Sequence, residues 1–282
     1  MLVRDYDEMK PFIPAMVMKG APTLFDDALS VAQDMLVEQI IGTALETQLE
    51  TRSSSDARLL RLCQRAISQH AFLRCIPDLD LVLTDAGFAV VNNEKTTMAS
   101  TDRVRSLADN MAAKLDESRD ALVRYLLHTS AYDSWRGTEE FARLSDGLIL
   151  TLGEFRDVAV LNNLTAKAYP KSWSDFVEMN SALNVALMTD VASYISKDYA
   201  EELIEKTRDK EIFRPIEQKV LKLVKIAIAA IALGDRNTGL DQTMAAVAVM
   251  KANPDDFETY MQSPESKAVD MIHADTPIFS MI

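Results

Sequence analysis

Glycine and proline are scarce, with 8 and 9 copies in 282 residues. That scarcity argues against a fold of many strands and tight turns and favours long helices with short connections. Cysteine is rarer still. Cys63 and Cys75 stand twelve residues apart in what reads as a single helix. At ~1.5 Å of rise per residue they lie about 18 Å apart, too far for a disulfide. Reduced thiols suit assembly in a reducing cytoplasm. Histidine is limited to His70, His128 and His273. No apolar run approaches the ~20 residues that span a bilayer. The longest, Ile226 to Leu233, is alanine-rich and suits a helix packed closely on other helices. Residues 1–10 carry charges where a signal peptide needs an apolar core.

Positive charge is also short. Thirty Lys and Arg face 43 Asp and Glu, for a net charge of −13 and a pI near 4.7. Nucleic acid and anionic membranes repel such a chain unless a local basic patch overrides the average. The best such patch is Lys219, Lys222 and Lys225 with Arg214 upstream, a helical stripe that reads as a solvated face or as a contact for an acidic partner. Apolar residues are plentiful at 48%, enough for a core, so disorder is excluded and one large domain or two modest ones are expected.

Residues 1–22 read as an extended arm, because Pro11, Pro14 and Pro22 forbid a continuous helix. A helix from about Leu24 to Leu49 follows, with Thr23 as its cap and Asp26 and Asp27 in the first turn. Its positions Leu29, Ala32, Met35, Leu36, Ile40 and Ala44 have the spacing of a buried face. Ser53 to Ser55 break it and cap a second helix from Asp56 to Cys75, which Pro77 closes. Leu81–Thr84 and Phe88–Val91 read as short strands around Asp85-Ala86-Gly87, where Gly87 supplies a positive φ. Ser100 or Thr101 caps a helix to His128. A segment with Tyr132, Trp135 and Gly137 leads to a helix from about Thr138 to Leu150. Residues 153–163 are ambiguous between strand and loop.

From Trp173 the pattern begins again. Ser174 caps a helix, a shorter one spans Tyr199 to Arg208, and an apolar one runs from Phe213 to Leu233 with Pro215 in its first turn. Gly234 ends that helix, Gly239 turns into another over Leu240 to Lys251, and a last one follows Asn253-Pro254. The expected organisation is mainly α: an arm over 1–22, a helical half with one small hairpin over 23–150, a similar half over 151–275, and an apolar tail over 276–282. Phe25 corresponds to Phe176 in this duplication, and the Tyr132–Trp135 segment before Thr138 corresponds to Tyr260 before Pro264.

Chemistry is thinly supplied. His70 fits a core or half-buried place, His128 a helix C-terminus, and His273 has only Asp270 at metal-ligand spacing. Nucleotide-binding glycine motifs, HExxH and CxxC are all missing. Asp78, Asp80, Asp255 and Asp256 suit turns and caps. No catalytic, cofactor or metal site is expected. Contact residues are sought instead among Met16, Met18, Asp85, Gly87, Phe88, Ile278, Phe279, Met281 and Ile282, in apolar ends and at a turn. Trp135 is either a core anchor or an interface anchor.

The Leu83-Thr84-Asp85-Ala86-Gly87-Phe88 turn after an Ala- and Leu-rich helix, with Tyr132, Trp135, Tyr260 and Ser263-Pro264, resembles a two-repeat helical virion-protein family encoded in tailed phages and prophages of Bacteroides-type hosts. Arg136-Gly137 stands where that pattern has a Ser-Pro pair. The resemblance implies a head-to-tail connector, or neck adaptor, that assembles in the host cytoplasm as a ring joining the portal to tail proteins. DNA would pass through without specific binding, and no membrane or cofactor is involved. The alternatives are another tail-completion, ring or cargo protein, or a cellular helical interaction or regulatory protein.

Overall fold

The computed structural model describes residues 1–14, 24–51, 56–78, 81–84, 87–90, 101–144, 147–164, 170, 172–209, 211 and 213–268. The chain is mainly helical and divides into two compact units, Met1–Ala142 and Arg143–Ile282. The division falls ahead of the 150/151 boundary drawn from the sequence.

The first fourteen residues correct the expectation of an extended arm. Asp5 caps a short helix, α1 (Tyr6–Met9), by accepting from the Glu8 amide at 3.0 Å, while Glu8 Oε2 accepts from the Arg4 amide at 3.0 Å. Pro11 then sits in a 3₁₀ turn, Lys10–Phe12. The prolines stop the helix as expected, but Leu2, Val3, Tyr6 and Met9 are buried. A segment this apolar gains more from covering its own core than from remaining extended in water.

The expected first long helix is three pieces: α2 (Leu24–Leu36), a π-helical stretch Val37–Ile41, and α3 (Gly42–Glu50). Gly42 sits at φ 73°, ψ 161°, a conformation nearly closed to residues with a Cβ, so the chain changes direction there. Next comes α4 (Ala57–Cys75), capped by Asp56 rather than by the serines before it. Leu81–Thr84 (β1) pairs antiparallel with Gly87–Val90 (β2), Leu81 opposite Val90 and Thr84 opposite Gly87. The long α5 (Thr101–His128) packs on α4, and a 3₁₀ segment, Ser130–Gly137, leads to α6 (Glu139–Leu144). The core of this unit lies between α2, α4 and α5, around Phe25, Leu29, Ile40, Phe72, Leu122 and Trp135.

The second unit contains α7 (Leu152–Leu161), so the ambiguous stretch is helical, and the helix expected from Thr138 to Leu150 ends at Leu144. Thr151 caps α7 through the Glu154 amide at 3.1 Å, and Glu154 Oε2 accepts from the Leu150 amide at 2.9 Å. The next helix, α8 (Trp173–Val185), starts two positions early. Ser172, not Ser174, is its cap, and Asp175 returns the hydrogen bond in a capping box. A π-helical stretch, Ala186–Val191, and α9 (Ala192–Ile195) follow, ending at Ser196 with φ 74°, ψ 151°. Then come α10 (Lys197–Asp209), α11 (Pro215–Ala232), α12 (Arg236–Ala252) and α13 (Glu258–Gln262), and residues 264–268 are again helical.

Gly239 is inside α12 and does not precede it, because Asp235 caps the helix at the Thr238 amide. A Cβ at Gly239 would collide with Ile231 and stand 3.0 Å from the Ala227 carbonyl. Glycine there lets α11 and α12 approach closely, and this packing explains the alanine-rich run of α11.

Candidate functional site

In the first unit, ionisable and aromatic groups converge at the start of α4. Asp56 Oδ1 accepts from the Arg58 and Leu59 amides, and Oδ2 accepts from the Tyr125 and Tyr132 hydroxyls at 2.7 and 2.8 Å. Burial pushes the Asp56 carboxyl up, but these four donors outweigh it and leave the group below the usual carboxylate range. The Arg58 guanidinium lies 4.9 Å from the Tyr125 ring centre. These bonds tie the start of α4 to α5 and to the 3₁₀ segment.

Trp135 lies in the same 3₁₀ segment as Tyr132 and is 2% exposed. Its ring lies 5.1 Å from that of Phe141, and its indole N–H donates to the Ile40 carbonyl at 2.7 Å. A π-helical turn displaces carbonyls from regular pairing, and Trp135 satisfies one of them. Its placement as an interface residue is therefore corrected: Trp135 is a core anchor. Between α4 and α5, Ser118 donates to Gln69 at 2.7 Å within the buried layer. His70 is half-buried, and desolvation, then the positive charges of Arg119 and Arg74, hold it down at about 4. Cys63 is fully buried and pushed up to about 12, which makes it an inert thiol.

In the second unit the densest cluster surrounds Glu217. Its carboxylate accepts from the Arg214 amide at 2.7 Å and from Lys206 at 3.2 Å, and Arg214 reaches across to Asp256. Burial raises the Glu217 carboxyl, but the bonds from Arg214 and Lys206 dominate and bring it to about 2. This arrangement staples the starts of α11 and the turn before α13 to α10. Lys225, expected on a free stripe, pairs with Glu154 at 2.5 Å and is 15% exposed, whereas Lys219 and Lys222 are exposed. Trp173 is buried against Phe176.

A cleft of about 120 Å³ opens beside the second π-helical stretch. Three of its hydroxyls are already engaged: Thr189, Ser193 and Thr243 donate to the carbonyls of Val185, Asp190 and Gly239. Arg236 pairs with Asp190 at 2.7 Å. No grouping of three or more metal-binding side chains occurs among the described residues, and no helix among them is long and apolar enough to cross a membrane.

Of the expected contact residues, Met16, Met18, Asp85, Ile278, Phe279, Met281 and Ile282 lie outside the described residues, as do Asp270 and His273. Gly87 and Phe88 are in β2. The described surface adds apolar side chains that sequence reasoning passed over: Val160 and Leu161, 66% and 78% exposed at the end of α7. Asp56 and Glu217 were also missed as hubs. Asp56 reads as one more polar residue beside a serine cluster, and an Arg at a helix start carries no capping signal.

Against known proteins, residues 21–144 match the model of a family of unknown function, DUF6712. The match ends within α6, close to where the first compact unit ends. No curated protein matches the chain, and no solved structure does.

Proposed function

We propose that this chain is a structural virion protein, a head-to-tail connector subunit that assembles as a ring with portal and tail proteins, and that its two units are copies of one duplicated module with a small hairpin added to the first. The observation that carries the duplication is a set of local constructions repeated in order. Leu2-Val3, the Asp5 cap and Glu8 bonded to the Arg4 amide have counterparts in Leu148-Ile149, the Thr151 cap and Glu154 bonded to the Leu150 amide.

Each unit then has a 13-residue helix, a π-helical stretch and a reversal at positive φ, at Gly42 or at Ser196. Each closes on a buried aromatic three residues before a cap: Trp135 with Thr138, which accepts from the Phe141 amide at 3.3 Å, and Tyr260 with Ser263, which accepts from the Ser266 amide at 3.3 Å. Chance does not readily order so many unlike devices twice.

What supports a joining role is the use to which polar groups are put. Asp56 and Glu217, the carboxylates most heavily hydrogen-bonded, hold helices together, while apolar Val160 and Leu161 remain on the surface. Adjacent apolar side chains left in water suit a contact with another chain, and a ring needs two different complementary faces on each subunit. The apolar tail at 276–282 offers a further grip.

Mass measurement and electron microscopy of the purified chain, alone and mixed with a portal, test the reading. Rings, or rings that form on the portal, are expected. A chain ending at residue 275 should keep its helix content and assemble less tightly. A protein that stays monomeric in both settings removes the connector role.

A further inference from the structure

The helix α4 departs from the acidic character of the chain. Its 19 residues include Arg58, Arg61, Arg65 and Arg74 and not one acid. Arg58, Arg61 and Arg65 follow an i, i+3, i+7 spacing, so they share one face. Arg58 and Arg61 are exposed and Arg65 is half-exposed. Arg58 covers the Tyr125 ring, and Arg61 and Arg65 have no ion-pair partner among the described residues.

In the second unit, α10 has the opposite face at the same spacing. Asp198, Glu201 and Glu205 stand at i, i+3, i+7, with Asp209 four residues further, and all four are exposed. Asp198 and Glu205 lack an ion-pair partner among the described residues, and Glu201 has only a 3.6 Å approach from exposed Lys197. Arg58 to Arg65 and Asp198 to Glu205 each span about 10 Å at ~1.5 Å per residue, and the charge spacings match whichever way the helices run, within the reach of these long side chains.

We propose that the arginine face of α4 in the first unit docks on the acidic face of α10 in the second unit of another copy. It rests on the self-assembly in the reading above and names the contact. Such a contact is heterologous: each copy offers one face and receives the other, as ring closure requires. Exposed ion pairs are individually weak, so the stripes act by steering encounter and fixing register. Salt weakens an attraction of this kind, because the screening length is only about 8 Å at physiological ionic strength.

The test uses the full-length chain in sedimentation velocity at low and high salt. Arg61→Glu with Arg65→Glu should weaken self-association at least about tenfold, and Glu201→Lys with Glu205→Lys should do the same. Circular dichroism of each variant should remain that of the wild type. Combining all four substitutions restores opposite charges and should recover assembly.

If the reversals leave association intact, or the fourfold variant is no better than the pairs, the contact is wrong while a wild-type ring still stands. A wild-type chain that never associates removes both proposals.

Discussion

At the residue scale, the side chains with the greatest leverage are polar groups enclosed by apolar packing. Trp135 combines the largest buried ring of the first unit with a hydrogen bond to the Ile40 carbonyl, at a point where the helix has left its regular pairing. Trp135→Phe keeps most of the packing but strands that carbonyl. It is expected to destabilise the first unit by about 1–3 kcal/mol, measured as a lower midpoint in urea unfolding. An unchanged midpoint would mean the carbonyl finds water. The sequence marked Trp135 as an anchor of some kind, but core and interface look alike in a string of letters, and only the ring's surroundings separate them.

At the element scale, the helices themselves were legible. Long apolar periodicities found α4, α5, α10 and α11 within a few residues, because a helix's buried stripe is written in its own spacing. Breaks within them were not. A π-helical turn and a reversal at Gly42 leave the apolar pattern almost intact, so Leu24 to Leu49 reads as continuous. The glycine was the one available signal.

Gly42→Ala puts a Cβ at φ 73°, 3.1 Å from the end of the Glu140 side chain. Glu140 can swing away, but the backbone cannot, so a loss on the order of 1–3 kcal/mol follows. Differential scanning calorimetry should record it as a lower first-unit transition. Ser196 accepts the same conformation without glycine's freedom, held by its own bond from the Tyr199 amide at 3.1 Å.

At the scale of the whole molecule, the two units are expected to lose stability over different pH ranges. In the first, His70 has its proton affinity lowered from 6.5 to about 4. Above pH 6.5 it is neutral in both states and its cost is nil. As pH falls from 6.5 to 4 the unfolded chain binds a proton that the folded helix refuses, and stability is lost. In the second, Glu217 is lowered from 4.5 to about 2, so its contribution is complete above pH 4.5 and is lost as pH falls from there toward 2.

Trp135 and Trp173 report the two units separately. In a Trp173→Phe chain, fluorescence-detected stability should begin to fall below pH 6.5, and His70→Gln should remove that early decline. In a Trp135→Phe chain, the decline should begin only near 4.5. Coincident curves would mean that other groups govern acid unfolding.

By itself, the sequence determined the helical class, the unpaired cysteines and the apolar stripes, because each depends on neighbours no more than a few turns away along the chain. It could not determine what covers a short apolar segment. Residues 2–9 look like a free end when read alone, yet the Leu2 amide donates to Gln33 at 2.7 Å, Gln64 donates to the Leu2 carbonyl at 3.0 Å, and Tyr6 stacks on Phe25 at 5.3 Å. Those partners are separated from it by whole helices, and apolar surface has no directional preference for whichever neighbour shields it from water. Only the tertiary structure decided that it belongs to its own core.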